Sequence, residues 1–279
     1  MSQPTLSCLR SLGALGALLC LLSPADAREA RSSAVVTWDA DCSGSERLEW
    51  DDMCKNWRTR LGSKGYGTWK RNYSQVYIDR YVDPSISAWG FDNSATSGFD
   101  GGDAALLCTH GGRNDDGWWG LMHTKSQGEC GANVYQWEAG VAGGGQTKFL
   151  GLSSCNSMRW SKTGKWFNPA KGGVHSVNGF HGLMYIGGGY IDEYADQVDD
   201  AYAGGQSVSE AWVDNMHHDP IIGHTICPVS MAFGNGKSAA MSRLFNETYK
   251  NPTAEQTMTY GVLMWMSECD PNDGDPLPK

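Results

Sequence analysis

The chain has 279 residues, 40% of them hydrophobic and 19% charged, with a formal net charge of −9 and a sequence pI near 5.2. That length suits one large domain or one domain with an embellishment, and the acidic balance argues against nucleic acid as a partner, because phosphate backbones are held by clustered cations. The 36 glycines and 12 tryptophans point to a loop-rich globule, with core packing as the plainer use of the indoles.

Residues 1–27 read as a secretory signal peptide: Arg10 precedes an apolar stretch from Leu12 to Leu22, and Ala25-Asp26-Ala27 is an A-x-A cleavage pattern. The stretch is short for a membrane span and no later segment is longer. The expectation is therefore a secreted protein, extracellular or periplasmic, with no membrane span. Residues 28–44, polar and small, read as an N-terminal tail or removable pro-segment. The main domain is expected over 45–268, and 269–279 as a polar, proline-closed C-terminal tail, disordered rather than calcium-binding.

Along the main domain, residues 43–62 predict a helix. Ser43 and Glu46 have capping-box spacing, Trp50, Met53, Cys54, Trp57 and Leu61 form one stripe, and Gly62 is a stop. Residues 74–82 alternate as a half-buried strand does. After a Gly/Asp/Ser loop, "AALLCTH" (104–110) is a continuous apolar run typical of a strand covered on both faces. "DDGWWGLMHT" predicts a hairpin arm, "ANVYQWEAGV" a weak helix, and "TKFLGLSS" the second buried strand. Two helices, "YIDEYADQVDDAY" and "SVSEAWVDNM", and two strands, "TICPVSMAFG" and "TYGVLMWM", complete the reading. The second helix has Ser207 and Glu210 as a capping box. Buried strands separated by crossovers imply parallel neighbours, and hence a three-layer α/β/α sandwich with a mainly parallel sheet.

Seven cysteines follow the leader: Cys42, Cys54, Cys108, Cys130, Cys155, Cys227 and Cys269. An odd count leaves at least one thiol unpaired. Cys42 and Cys54 are separated by most of a helix and should not bridge each other. Cys108 is expected buried or disulfide-bonded.

The candidate site lies where the two buried strands end. His110 follows the first and Cys155 the second, and ligands of open parallel sheets sit beyond the carboxyl ends of strands. A histidine there can act as general base or hold a thiolate as an ion pair. Gly111 and Gly112 allow close backbone approach for oxyanion donors.

"ALLCTHGG" followed by "FLGLSSC" resembles the caspase–hemoglobinase (clan CD) cysteine peptidases, and is most similar to an uncharacterised secreted bacterial branch of that fold. The resemblance covers residues 75 to 234. It implies a caspase-like α/β fold, a peptide or protein substrate, His110 and Cys155 as catalytic dyad, and the Gly111 and Cys155 amides as oxyanion donors. Caspases place Gln-Ala before the cysteine. Here the pair is Ser153-Ser154, so aspartate specificity does not carry over. Asp103, Arg113, Ser154, Asn156 and His175 are candidate substrate-binding residues, and His175 or His181 could replace His110 as base. Neither a cofactor nor a metal is expected, although His217, His218 and His224 could supply zinc ligands. Asn72 and Asn246 open glycosylation sequons. The alternative function is an inactive binding module on the same scaffold, taking carbohydrate on exposed tryptophans. The sequence leaves oligomeric state open.

Overall fold

The computed structural model describes residues 28–38, 42–124, 128–137, 145–218, 225–254, 257–267 and 269–279. The expected leader, His224, most of the C-terminal half of the predicted 132–141 helix, and Glu268 lie outside them.

A seven-stranded sheet organises the fold. Its strands are β1 (Glu29–Ala34), β2 (Gly67–Asn72), β3 (Ala104–Cys108), β7 (Phe149–Ser153), β8 (Ser176–His181), β9 (Cys227–Gly234) and β10 (Tyr260–Trp265), in spatial order β10-β9-β8-β7-β3-β1-β2. The pairs from β2 to β8 are parallel, and β9 runs antiparallel to both β8 and β10. A second, antiparallel sheet contains β4 (Gly111–Asn114), β5 (Gly117–Leu121) and β6 (Gly131–Asn133). The fold is mixed α/β with a large, mainly parallel sheet.

The two faces of the large sheet are covered differently. On one, α1 (Glu49–Ser63), α3 (Glu193–Ala203) and α4 (Val208–Met216) pack Trp57, Leu61, Tyr194, Val198 and Trp212 onto Ala104, Leu106 and Phe149. Helix α5 (Lys237–Asn246) lies beside α4 against β9 and β10. On the other face, Leu107, Leu150, Leu152 and Val177 meet Trp118, Trp137 and Trp166. That face carries the small sheet, 3-10 turns and only the four-residue α2 (Phe167–Ala170), so its cover is not the helical layer expected. Trp118, Trp137 and Trp166 pack with ring centroids 5.3 to 5.9 Å apart and fill the space a helix would occupy.

Three further expectations are corrected. Residues 28–44 are not a tail: Glu29–Ala34 is an interior strand between β3 and β2. The small Ser32, Ser33 and Ala34 fit under two packed faces, and Arg31 is buried against Glu29 at 2.6 Å. Residues 74–82 are not a strand. They make one parallel bridge, Tyr77 to His123, and then a 3-10 turn over Ile78–Tyr81, with Val76, Ile78 and Tyr81 buried. The C-terminal segment is ordered: the Cys227–Cys269 disulfide tethers it, Leu183 N–H donates to Asn272 O at 2.9 Å, and His181 donates to Asp275 O at 2.6 Å.

Helix α1 buries the predicted stripe, Trp50, Met53, Cys54, Trp57 and Leu61, but starts at Glu49 rather than after Ser43. The residues before it are held elsewhere. Cys42 is bridged to Cys130, and Arg47 N–H donates to Val36 O. Acidic Glu49, Asp51 and Asp52 favour the exposed amides of the first turn. In α4 the predicted box is present: Ser207 Oγ accepts from Glu210 N–H at 3.0 Å, and Glu210 accepts from Ser207 N–H at 2.9 Å. Residues 131–136 form β6 and a 3-10 turn, not a helix. No helix among the described residues is long and apolar enough to cross a membrane.

Candidate functional site

Strands β3 and β7 are adjacent and parallel, with Cys108 opposite Ser153. The ladder runs one step further, Thr109 N–H donating to Ser153 O at 3.1 Å. His110 and Cys155 each lie two residues past the paired ends, so neighbouring strands deliver both to one edge of the sheet. Immediately beyond, the backbones touch. A Cβ on Gly111 would stand 2.6 Å from the Cys155 carbonyl oxygen and in hard contact with Ser154 Oγ and Trp118 Nε1. Only glycine permits that approach.

Both residues face the helical side. The His110 ring sits edge-on to Trp50 at 4.8 Å and tilted against Trp38 at 5.8 Å. Its Nε2–H donates to Ser45 O at 2.8 Å, which fixes the neutral tautomer and leaves the Nδ1 lone pair as acceptor. Cys155, packed on the same hydrophobic cluster as Trp50, receives the Met184 N–H at 3.4 Å and faces Met184 O at 3.7 Å. The Ser45 and Met184 segments continue as opposing walls of a cleft of about 480 Å³, lined by Glu46, Arg47, Leu48 and Glu49 on one side and Met184, Tyr185 and Ile186 on the other.

Burial dominates the electrostatics. It lowers the His110 pKa, a trend that Arg47 reinforces and the Ser45 bond opposes. It raises the Cys155 pKa, against the amides of Met184 and Cys155 itself, while Asp273 adds to the rise and Arg47 opposes it. Both shifts favour the uncharged forms, so at neutral pH the two groups rest as thiol and imidazole rather than as an ion pair.

The ladders show which amides near the strand ends are left out of sheet pairing. Leu121 N–H donates to His110 O at 2.8 Å, and antiparallel pairs alternate, so the next pair, Gly111 opposite Gly120, is a non-hydrogen-bonded one. The Gly111 N–H therefore points to the open edge of β4. After Cys155 the chain turns sharply: Asn156 has φ 58°, its N–H donating to Gly182 O at 2.7 Å.

The remaining sequence candidates divide by sheet edge. Asn156 and Arg113 share one partner. Asn156 Nδ2 donates to Asp273 Oδ2 at 3.1 Å, and Arg113 lies 3.5 Å from Asp273 Oδ1. Ser154 is buried and its hydroxyl accepts from Trp118 Nε1 at 3.1 Å, which makes it a packing residue rather than a cleft residue. Asp103 and His175 are at the wrong end. Asp103 precedes β3, accepts from Glu29 N–H at 3.0 Å and pairs with Lys148 at 2.8 Å. His175 precedes β8 and donates to Glu247 at 2.7 Å, fully buried. A five-residue strand, roughly 17 Å, separates that edge from Cys155. Neither can touch a substrate there. His181 does reach the carboxyl edge, but Trp160 N–H donates to its Nδ1 and its Nε2–H is held by Asp275 O, so no free nitrogen remains for base chemistry.

Among the described residues no group of three His, Cys, Asp or Glu could hold a metal ion. Six tryptophans, Trp50, Trp57, Trp118, Trp137, Trp166 and Trp212, are buried and offer no sugar platform. Sequence reasoning missed Ser45, Met184 and Asp273. The first two act through backbone atoms, which leave no residue signature, and Asp273 lies in a polar stretch indistinguishable from a loose end. No protein-family model matches the chain, and no curated protein matches it by sequence.

Proposed function

We propose that the protein is an exported cysteine hydrolase of peptide bonds, with Cys155 as nucleophile and His110 as general base. The observation that supports this reading is the β3–β7 register, which brings the chain segments bearing His110 and Cys155 off the carboxyl ends of neighbouring parallel strands, with the Gly111 and Cys155 backbones in close approach. Two disulfides support an oxidising destination. In the resting pair the thiol keeps its proton. When a peptide carbonyl enters the cleft, the proton passes to His110 Nδ1 as Sγ bonds to the carbonyl carbon, and the C=O pair moves onto oxygen. The Gly111 and Cys155 N–H groups hold that oxyanion. Collapse breaks the C–N bond, His110 returns the proton to the leaving amine, and a thioester remains on Cys155. Water then repeats the sequence and releases the acid. Ser45 keeps the imidazole in the tautomer this requires, with Nε2 as donor and Nδ1 as acceptor.

The test is hydrolysis of a randomised peptide library by the purified protein and by Cys155→Ala. Cleavage by the native protein that falls at least 1,000-fold in the variant is expected, the order of loss seen when a nucleophile is removed. Cleavage at an undiminished rate by Cys155→Ala, or none by the native protein, overturns the reading.

A further inference from the structure

Cys54 and Cys108 have no part in the proposed chemistry, yet their sulfurs lie 2.7 Å apart. Non-bonded sulfurs do not pack that closely; the separation lies between van der Waals contact and a bond of about 2.05 Å. Both side chains have no exposure to solvent, and they approach from opposing elements, Cys54 from α1 and Cys108 from β3. Neither has another cysteine as competitor: Cys42 is joined to Cys130, Cys227 to Cys269, and Cys155 is engaged by the Met184 backbone.

We infer that Cys54 and Cys108 are a third disulfide-forming pair, which staples α1 to β3 and leaves Cys155 as the single thiol among the cysteines that follow residue 27. The inference stands whether or not Cys155 is a nucleophile. Its chemistry is thiol–disulfide exchange. One thiolate attacks the disulfide of an oxidising partner, a glutathione-type or protein dithiol oxidant, and the second displaces that partner from the mixed disulfide. One Sγ–Sγ bond forms and the partner's is broken, its two sulfurs leaving as thiols with the two electrons and two protons the cysteines give up. In the folded state burial shields both sulfurs and holds the Cys108 pKa well above its ordinary value. The bond therefore forms as α1 docks, before the pair closes to solvent, and resists reductants afterwards.

The location gives the staple a consequence. Cys108 is two residues before His110, and α1 carries Trp50, whose ring meets the His110 imidazole at 4.8 Å. The bridge would fix the strand that bears His110 and the helix that flanks it to each other.

The experiment is peptide mapping of non-reduced protein, denatured in iodoacetamide and cut with trypsin, in a preparation whose Cys42–Cys130 and Cys227–Cys269 peptides are linked. Residues 48–55 and 81–113, which carry Cys54 and Cys108, are expected as one linked species, with alkylation confined to 149–159, which carries Cys155. In Cys54→Ala the 81–113 peptide should become alkylated instead. Recovery of 48–55 and 81–113 as separate alkylated peptides from the native protein overturns the inference, as does either one linked to 149–159.

Discussion

Replacing Gly111 by alanine tests the contact that holds the candidate site together. The added methyl would lie 2.6 Å from the Cys155 carbonyl oxygen and in hard contact with Ser154 Oγ and Trp118 Nε1. None of these can withdraw cheaply. The carbonyl belongs to the turn fixed by the Asn156 N–H to Gly182 O bond, and Trp118 is wedged against Trp137 and Trp166 with 2% of its surface exposed. Overpacking of this kind costs about 1–3 kcal/mol, and loss of the Trp118 to Ser154 hydrogen bond adds about 1 kcal/mol. The expected destabilisation is about 2–4 kcal/mol, which for a chain of this size lowers Tm by roughly 4–16 °C. Urea denaturation measures the first quantity. The same displacement shifts the backbone at Cys155, so the iodoacetamide rate of Cys155 should change as well. A variant with native stability and a native alkylation rate would refute the claim that these two backbones are pressed together.

Asp92 supplies a pH test. Burial, followed by the charges of Asp100 and Asp83, pushes its pKa up to about 9, against about 3.9 in an unfolded chain. The folded state thus binds the extra proton between those values. Its contribution is complete below about pH 4 and is lost as pH rises towards 9, at up to ~1.4 kcal/mol per unit. Asp92→Asn should flatten that decline, so that the variant gains stability relative to the native protein between pH 5 and 9; parallel pH profiles from denaturation curves would contradict the assignment. At the site, Asp273→Ala removes a negative charge that raises the Cys155 pKa and frees Asn156 and Arg113. The alkylation rate of Cys155 plotted against pH should move to lower pH, and an unmoved midpoint would show that Asp273 does not act on the sulfur.

The local rules of the chain fixed a good deal without any knowledge of the fold. The stripe of Trp50, Met53, Cys54, Trp57 and Leu61 specified a helix face, Ser207 and Glu210 specified a start, and the uninterrupted apolar runs at 104–108 and 149–153 specified strands buried on both sides. Those signals are periodicities and end-group chemistries, legible over a few residues. From the two runs alone it also followed that His110 and Cys155 leave strand ends. What the sequence could not express was who lies beside whom. Glu29–Ala34 is an interior strand despite its polar, small composition, because its neighbours on both faces leave room for little else. Asp103 and His175 resembled site residues by proximity in sequence, yet strand direction puts them at the opposite edge. Ser45, Met184 and Asp273 reach the site from segments far apart in the chain, two of them through backbone groups that every residue shares. Long-range pairing, sheet edge and backbone contact are properties of the packed chain, and only the tertiary structure decided them.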